Sequence, residues 1–239
     1  MHVSIGASVN PVVQRIHALL RKMDDLKLPA SSSRDVVSIL VRQAGREIDR
    51  ALPWQAGHGQ RAATIAVRIG QTVGLDVDAL HHLWLAALLH DIGLLMLPRS
   101  LAESGNNLEL DSYAAIQSHS RLGATLLEPF SCLREAAIII AHHHERWDGS
   151  GYPYGIRGTY IPLGARILSI ADAFDAIKVP DVSDPAVRNL IALRILKVAS
   201  GTQFDPDLVA ATVDIVLHRS SGKHHPASDE TDWRTEVTS

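Results

Sequence analysis

Apolar residues along this chain recur three and four positions apart, and strict alternation is rare, so the pattern predicts helices rather than strands. It resolves into nine segments: residues 12–23, 35–52, 58–73, 76–95, 111–127, 133–144, 162–178, 185–199 and 206–218. Pro29, Pro53, Gly74, Pro98 and Pro129 follow the first five, where a missing N–H or a freely left-handed residue stops a helix. Ser31, Ser32 and Ser33 form a polar break able to cap the second helix; Asp76 or Asp78 can cap the fourth, and Asp111 the fifth. Pro162, Pro185 and Pro206 open the last three from their first turns. The sixth segment carries AAIIIA and must be buried on most sides. Residues 99–110 read as a polar connection, and four Gly with two Pro make 149–162 a loop. The expected fold class is all-α: an N-terminal helical segment (1–52), a main helical domain (53–218) and a polar tail (219–239) expected to be disordered.

Composition narrows the class. At 239 residues with 46% hydrophobic and 21% charged positions, the chain can bury one sizeable core. A net charge of −3 leaves no basic footprint for nucleic acid or an anionic membrane. The lone Cys132 rules out an internal disulfide and suits a reducing compartment. The N-terminus places no Lys or Arg ahead of an apolar run, and the apolar stretch 83–97 is short for a bilayer and broken by His90 and Asp91. A cytoplasmic protein without a membrane span is expected.

Histidine changes the picture. There are 13, and residues 142–153 read HHHERWDGSGYP, with a His90-Asp91 pair upstream. His90 shares a helical face with Leu83, Ala86, Ala87 and Leu94, and His119 with Ile116, Gly123 and Leu126. His143 and His144 end the most apolar helix, Asp172 lies among Leu168 and Ala176, and His58 opens the third helix. One inward histidine is ordinarily a core residue bonded to a carbonyl. Several imidazoles and two carboxylates facing one core are hard to satisfy by hydrogen bonds alone, and they suit Fe, Mn or Zn.

The ordered set resembles the HD-GYP domains of the HD superfamily over about residues 58–213. It includes His58-x-x-Arg61, His90-Asp91-Ile92-Gly93, His119 with Leu122-Gly123, and His143-His144-Glu145-Arg146-x-Asp148-Gly149-x-Gly151-Tyr152-Pro153. It continues through Arg166-Ile167-Leu168 and Ala171-Asp172-Ala173-Phe174-Asp175-Ala176 to Gly201-Thr202-Gln203-Phe204-Asp205-Pro206. The resemblance implies an HD-superfamily helical bundle with an extended GYP loop, and hydrolysis of cyclic di-GMP to the linear dinucleotide or GMP by a metal-activated water. It implies one ion on His58, His90, Asp91 and Asp172, with Asp91 bridging to a second on His119, His143 and His144. His90 and Asp91 become the catalytic pair, and Arg146, Asp148 and Arg166 the substrate-binding residues. Trp54 stands where a third ion would need a carboxylate, so two divalent ions, Fe or Mn, are expected.

Three positions depart from the family pattern. Leu94 replaces the Lys of HDIGK, and Asp181 and Asp184 fall on the two basic positions of an RPYR or RPYK segment, with Ser183 on its Tyr. Near a dianionic ligand such exchanges turn attraction into repulsion, and Lys178, Arg188 or Arg157 are the candidates for compensation. Two readings follow: a metal-dependent phosphodiesterase, or a catalytically weak or inactive HD-GYP regulatory module acting through protein partners. A third, activity on another phosphoester, follows from the wider superfamily. The GYP loop (Gly151, Tyr152, Pro153), with exposed-looking Trp147, Tyr152, Tyr154 and Tyr160, is either a rigid lid or a contact for GGDEF-type proteins. Val12, Ile16 and Leu19 fit either a homodimer or packing of the N-terminal helices onto the domain.

Overall fold

A computed structural model describes residues 10–25, 30–102, 110–177 and 183–220. Eleven α-helices lie among them: α1 (Pro11–Asp25), α2 (Ala30–Ala51), α3 (His58–Thr72), α4 (Val77–Leu89), α5 (Arg99–Ala102), α6 (Leu110–Gln117), α7 (His119–Leu127), α8 (Arg134–His142), α9 (Leu163–Ala176), α10 (Pro185–Val198) and α11 (Pro206–Ser220). The only β feature among the described residues is a single bridge between Ser200 and Phe204. The all-α expectation holds. Lys178, Asp181 and residues 221–239 of the expected tail lie outside the described residues.

α4 is the axis of the fold. Leu83 through Leu89 are all buried, so the second half of the helix is covered on every side, with α2, α3, α8 and α9 packed against it. Its apolar window, Val77–Met96, has the length and hydropathy of a membrane span, yet two-thirds of it is buried inside this fold. Asp76 caps it, accepting from Ala79 N at 2.8 Å, while Asp78 pairs with Arg34. The N-terminal helices share the same core: Val13, Ile16 and Leu20 are fully buried with Val41 and Ala44 of α2. Asn10 Nδ2 donates to Leu95 O at 2.9 Å. Ile16, one of the residues considered for a dimer, is therefore used inside the chain.

Four departures from the sequence pattern exceed two residues. α2 begins five residues early, with the serines in its first turn, where backbone N–H groups lack helical partners in any case. A short α5 occupies part of the expected connection. The fourth segment does not run to Leu95: α4 ends at Leu89 and a 3-10 turn, His90–Met96, follows. The fifth segment breaks at Ser118, whose N–H and hydroxyl both bond Ala115 O. Both breaks fall next to a predicted ligand; apolar periodicity misses the first because Ile92, Leu94 and Leu95 stay buried beyond it, whereas the second falls in the polar run 117–121.

The loop after α8 is anchored rather than loose. Trp147 N donates to Gln203 O (3.1 Å), Asp148 N to Thr202 O (2.8 Å) and Tyr154 N to Glu145 Oε1 (2.8 Å). Gly151 is obligatory, since a Cβ there would lie 2.3 Å from Arg146 N and 2.6 Å from His144 O. Trp147 and Tyr152 are half-buried, contrary to their exposed look in sequence, because the loop folds back over His144. Tyr154 and Tyr160 remain on the surface, Tyr160 at 83% exposure.

Candidate metal centre

Helix ends build this site. The last carbonyls of an α-helix have no partner four residues on, and three of them accept from histidines just beyond or at the end. His90 Nδ1 lies 2.9 Å from Ala87 O at the end of α4. His119 Nδ1 lies 2.7 Å from Ile116 O at the end of α6, and His143 Nδ1 lies 2.7 Å from Ile140 O at the end of α8. A carbonyl only accepts, so each Nδ1 carries a proton and Nε2 is the nitrogen left to face the site. The helix breaks at Leu89 and Ser118 are thus what aim His90 and His119.

Two donor sets result. Ligand atoms of His58, His90 and Asp172 lie within 4.8 Å of one another, as do those of His119, His143 and His144. Asp91 sits between them, with Oδ2 at 3.2 Å from His90 Nε2 and Oδ1 at 3.8 Å from His119 Nε2. The close approach of the HD turn to α7 requires Gly93: a Cβ there would lie 1.9 Å from His119 O.

His58 is held differently. Its Nε2 faces Asp172 Oδ1 at 2.9 Å and its Nδ1 faces Asp175 Oδ2 at 2.6 Å. Burial opposes charge on this ring, but hydrogen bonds to Asp172 and Asp175 outweigh it and raise the imidazole to about 10. His90 is also raised: burial is overcome by Asp91 and Asp172. Burial alone would raise Asp91, yet His90, His119 and His58 hold its carboxyl far below the usual range. Asp172 is likewise lowered against its burial, by His58 and His90. In the second set burial and neighbouring imidazoles act together. His143 is pushed well below its ordinary value and His144 to about 3, so both stay neutral.

This donor set fits a divalent cation. His143 Nε2 is fully buried and has no hydrogen-bond partner among the described residues, and His144 Nε2 lies 3.2 Å from His119 Nε2, two ring nitrogens converging on one spot. Neutral imidazoles and ionised carboxylates are the forms that ligate, and nitrogen with oxygen donors suits first-row transition metals. The seven residues expected as ligands are all brought together here.

The expected substrate residues sit at the periphery. Asp148 accepts from Ser150 N (2.9 Å) and Ser150 Oγ (2.6 Å), bonds that hold its carboxyl at about 2. Arg146 donates to Ser150 Oγ (2.9 Å) and faces Asp148, with a third of its side chain exposed. Arg166 is engaged within the fold: it pairs with buried Asp205, donates to Ile161 O (3.0 Å) and lies 5.8 Å from the Trp147 ring centre. Tyr152 stacks on His144 with ring centres 4.8 Å apart, forming an apolar cover over the second set. Of the departures, Leu94 is a core residue at 6% exposure, and Asp184 caps α10, accepting from Ala186 N at 2.8 Å. Asp175 was missed as a site residue. Its spacing of three from Asp172 on one helix was the available signal.

The HD domain profile matches residues 42–208. The chain is 33% identical over 175 residues to the 3'3'-cGAMP-specific phosphodiesterase 3 of Vibrio cholerae, covering 72% of this chain and 37% of that protein. It is 35% identical over 154 residues to the cyclic di-GMP phosphodiesterase response regulator RpfG of Xanthomonas campestris, covering 64% of this chain and 41% of that protein. The chain therefore spans about two-fifths of the length of these relatives. Among solved structures, the HDG"Y"P protein Bd1817 of Bdellovibrio bacteriovorus shares the fold, with a TM-score of 0.59 at 18% identity, covering 86% of this chain and 70% of that one. With the HD pair and the HHERWDGSGYP loop on one helical frame, the chain belongs to the HD-GYP family of the HD superfamily.

Proposed function

We propose that this chain is a metal-dependent phosphodiesterase that opens cyclic dinucleotides, cyclic di-GMP first among them, to the linear dinucleotide or GMP. The observation that carries the reading is Asp91 placed between two histidine-rich donor sets, one carboxylate oxygen toward each. His58, His90, Asp91 and Asp172 would hold one ion, and Asp91, His119, His143 and His144 a second. Fe(II) or Mn(II) suits these donors. Such a pair supplies a hydroxide near neutral pH and Lewis acidity for a phosphodiester.

The protein's own part is to fix donors and exclude water. The helix-end carbonyls of Ala87, Ile116 and Ile140 lock three imidazoles in one tautomer, so nothing reorganises when substrate arrives. Tyr152 shields His144 from solvent. Arg146, two residues past His144 and partly exposed, is the side chain we assign to the phosphate. Arg166 acts through Asp205 to hold the base of the loop instead of touching substrate. Tyr154 and Tyr160, rather than the inward Tyr152, are the loop residues we assign to contact with GGDEF-type proteins. The apolar Val77–Met96 window lies mostly inside the core, which fits the expected cytoplasmic location.

The regulatory reading keeps the ions and loses turnover. It is favoured by one observation, the burial of Leu94 where the resemblance expects a cation. The second expected repulsion is weaker than it looked, because the Asp184 carboxylate is engaged as a helix cap. Chromatography of products from cyclic di-GMP and 3'3'-cGAMP, incubated with anaerobically purified, Mn(II)- or Fe(II)-loaded protein, separates the two. Linear dinucleotide or GMP, lost in Asp91→Ala, supports hydrolysis; no product from metal-loaded protein supports the regulatory module.

A further inference from the structure

Four histidines of the centre have a hydrogen bond at the nitrogen turned away from it or along the backbone, and one of them differs in kind. His90, His119 and His143 lean on main-chain carbonyls. His58 leans on a side chain, Asp175, at 2.6 Å. That carboxylate is itself gripped by Arg61, with Nε to Oδ1 at 2.8 Å and Nη2 to Oδ2 at 3.0 Å. Arg61 is tied back to Ala56 O at 3.2 Å. The local sequence allows this: Gly57 has φ +73°, and a Cβ there would lie 2.9 Å from the Arg61 guanidinium.

The arrangement is two facing helical pairs. α3 supplies His58 and, one turn on, Arg61; α9 supplies Asp172 and, one turn on, Asp175. Asp172 meets the inner nitrogen of His58 and Asp175 the outer one. A carboxylate on the outer N–H fixes the ring and makes its other nitrogen a better donor. A carbonyl does the first with less of the second. Among the described residues no carboxylate is hydrogen-bonded to a histidine of the second donor set.

We infer that Asp175, clamped by Arg61, is a positioning residue that sets the affinity of the first ion site alone, leaving the His119, His143 and His144 site independent of it. This rests on the two-ion reading above. The two sites then differ in what can disturb them. In the second, His119 and His143 are fixed by backbone carbonyls, whereas His58 in the first depends on a side-chain relay whose outer member, Arg61, is 56% exposed. A surface event at Arg61 reaches the first ion and not the second.

The test is Mn(II) binding to the full chain, followed by electron paramagnetic resonance of free Mn(II), for wild type, Asp175→Ala, Asp175→Asn and Arg61→Ala. Wild type should take up two ions. Asp175→Ala should weaken one by about 10- to 100-fold and leave the other unchanged. Asp175→Asn, whose amide oxygen still accepts from the ring, should recover part of the loss, and Arg61→Ala should fall between. The Nδ1 proton resonance of His58 should lose its downfield position in Asp175→Ala and keep most of it in Asp175→Asn. Unchanged affinity at both ions, or an equal loss at both in a variant with a wild-type melting curve, would overturn the inference. Wild type holding no Mn(II) would instead sink the two-ion reading, and the inference with it.

Discussion

Metal uptake by the first site should release protons, and the structure says from where. His58 sits at about 10 in the ion-free chain, because burial is outweighed by Asp172 and Asp175. Its charge therefore stabilises the ion-free fold fully below pH 6.5, and that contribution fades as pH rises through about 10. A cation needs the Nε2 lone pair that this proton occupies. Binding near neutral pH must displace about one proton from His58, so affinity at the first site should rise about tenfold per pH unit. His90, also raised, steepens the slope. His143 and His144 are already neutral and contribute none. Calorimetry of Mn(II) binding between pH 6.5 and 8.5, in buffers of differing ionisation enthalpy, measures both slope and protons. An affinity rising about a hundredfold across that range, with at least about one proton released, is expected. A flat profile with no buffer-dependent heat would refute the assignment of His58 as a ligand.

Other consequences are more local. Asp91→Ala removes the carboxylate between the two sets, and elemental analysis should show metal content falling sharply; unchanged metal would contradict the bridging role. Gly93→Ala puts a methyl 1.9 Å from His119 O, so the HD turn must shift from α7. Overpacking of this kind costs about 1–3 kcal/mol, and a lower melting temperature together with weaker Mn(II) binding is expected. Arg166→Ala strands the buried Asp205 carboxylate, a loss of about 3–5 kcal/mol. Urea denaturation should show it, whereas wild-type stability with impaired substrate binding would return Arg166 to a substrate role. Leu94→Lys places an ammonium at a core position and should melt lower; an unchanged melting temperature would mean the amine reaches a carboxylate or solvent.

How far the sequence reaches is clearest at individual residues. Spacing sufficed to put His90, His119 and Asp172 on inward faces, because helical periodicity is strong in apolar segments such as Leu83–Leu89. It could not show that α4 stops at Leu89, since helix continuation and a 3-10 turn bury the same apolar residues, or that Ser118 divides α6 from α7, since the polar run 117–121 suits a continuous helix as well as a break. Those breaks determine the hydrogen bonds that orient the imidazoles. Asp175 stands in the family motif without an assigned role, because that role depends on contact between α3 and α9, with His58 and Asp175 more than 100 residues apart in the chain. Asp184 looked like a charge reversal near substrate, but its position before Pro185 marks a helix start, and the structure bears out that plainer role. Arg166 looked free to bind a phosphate until Asp205, adjacent only in space, was seen to hold it.

Anomalous diffraction from Mn(II)-loaded crystals would test whether Asp91 joins the two donor sets into one centre. Two peaks about 3.5–4 Å apart, one on His58, His90 and Asp172, the other on His119, His143 and His144, and both sharing Asp91, are predicted. A single peak, or two that Asp91 does not bridge, would contradict it.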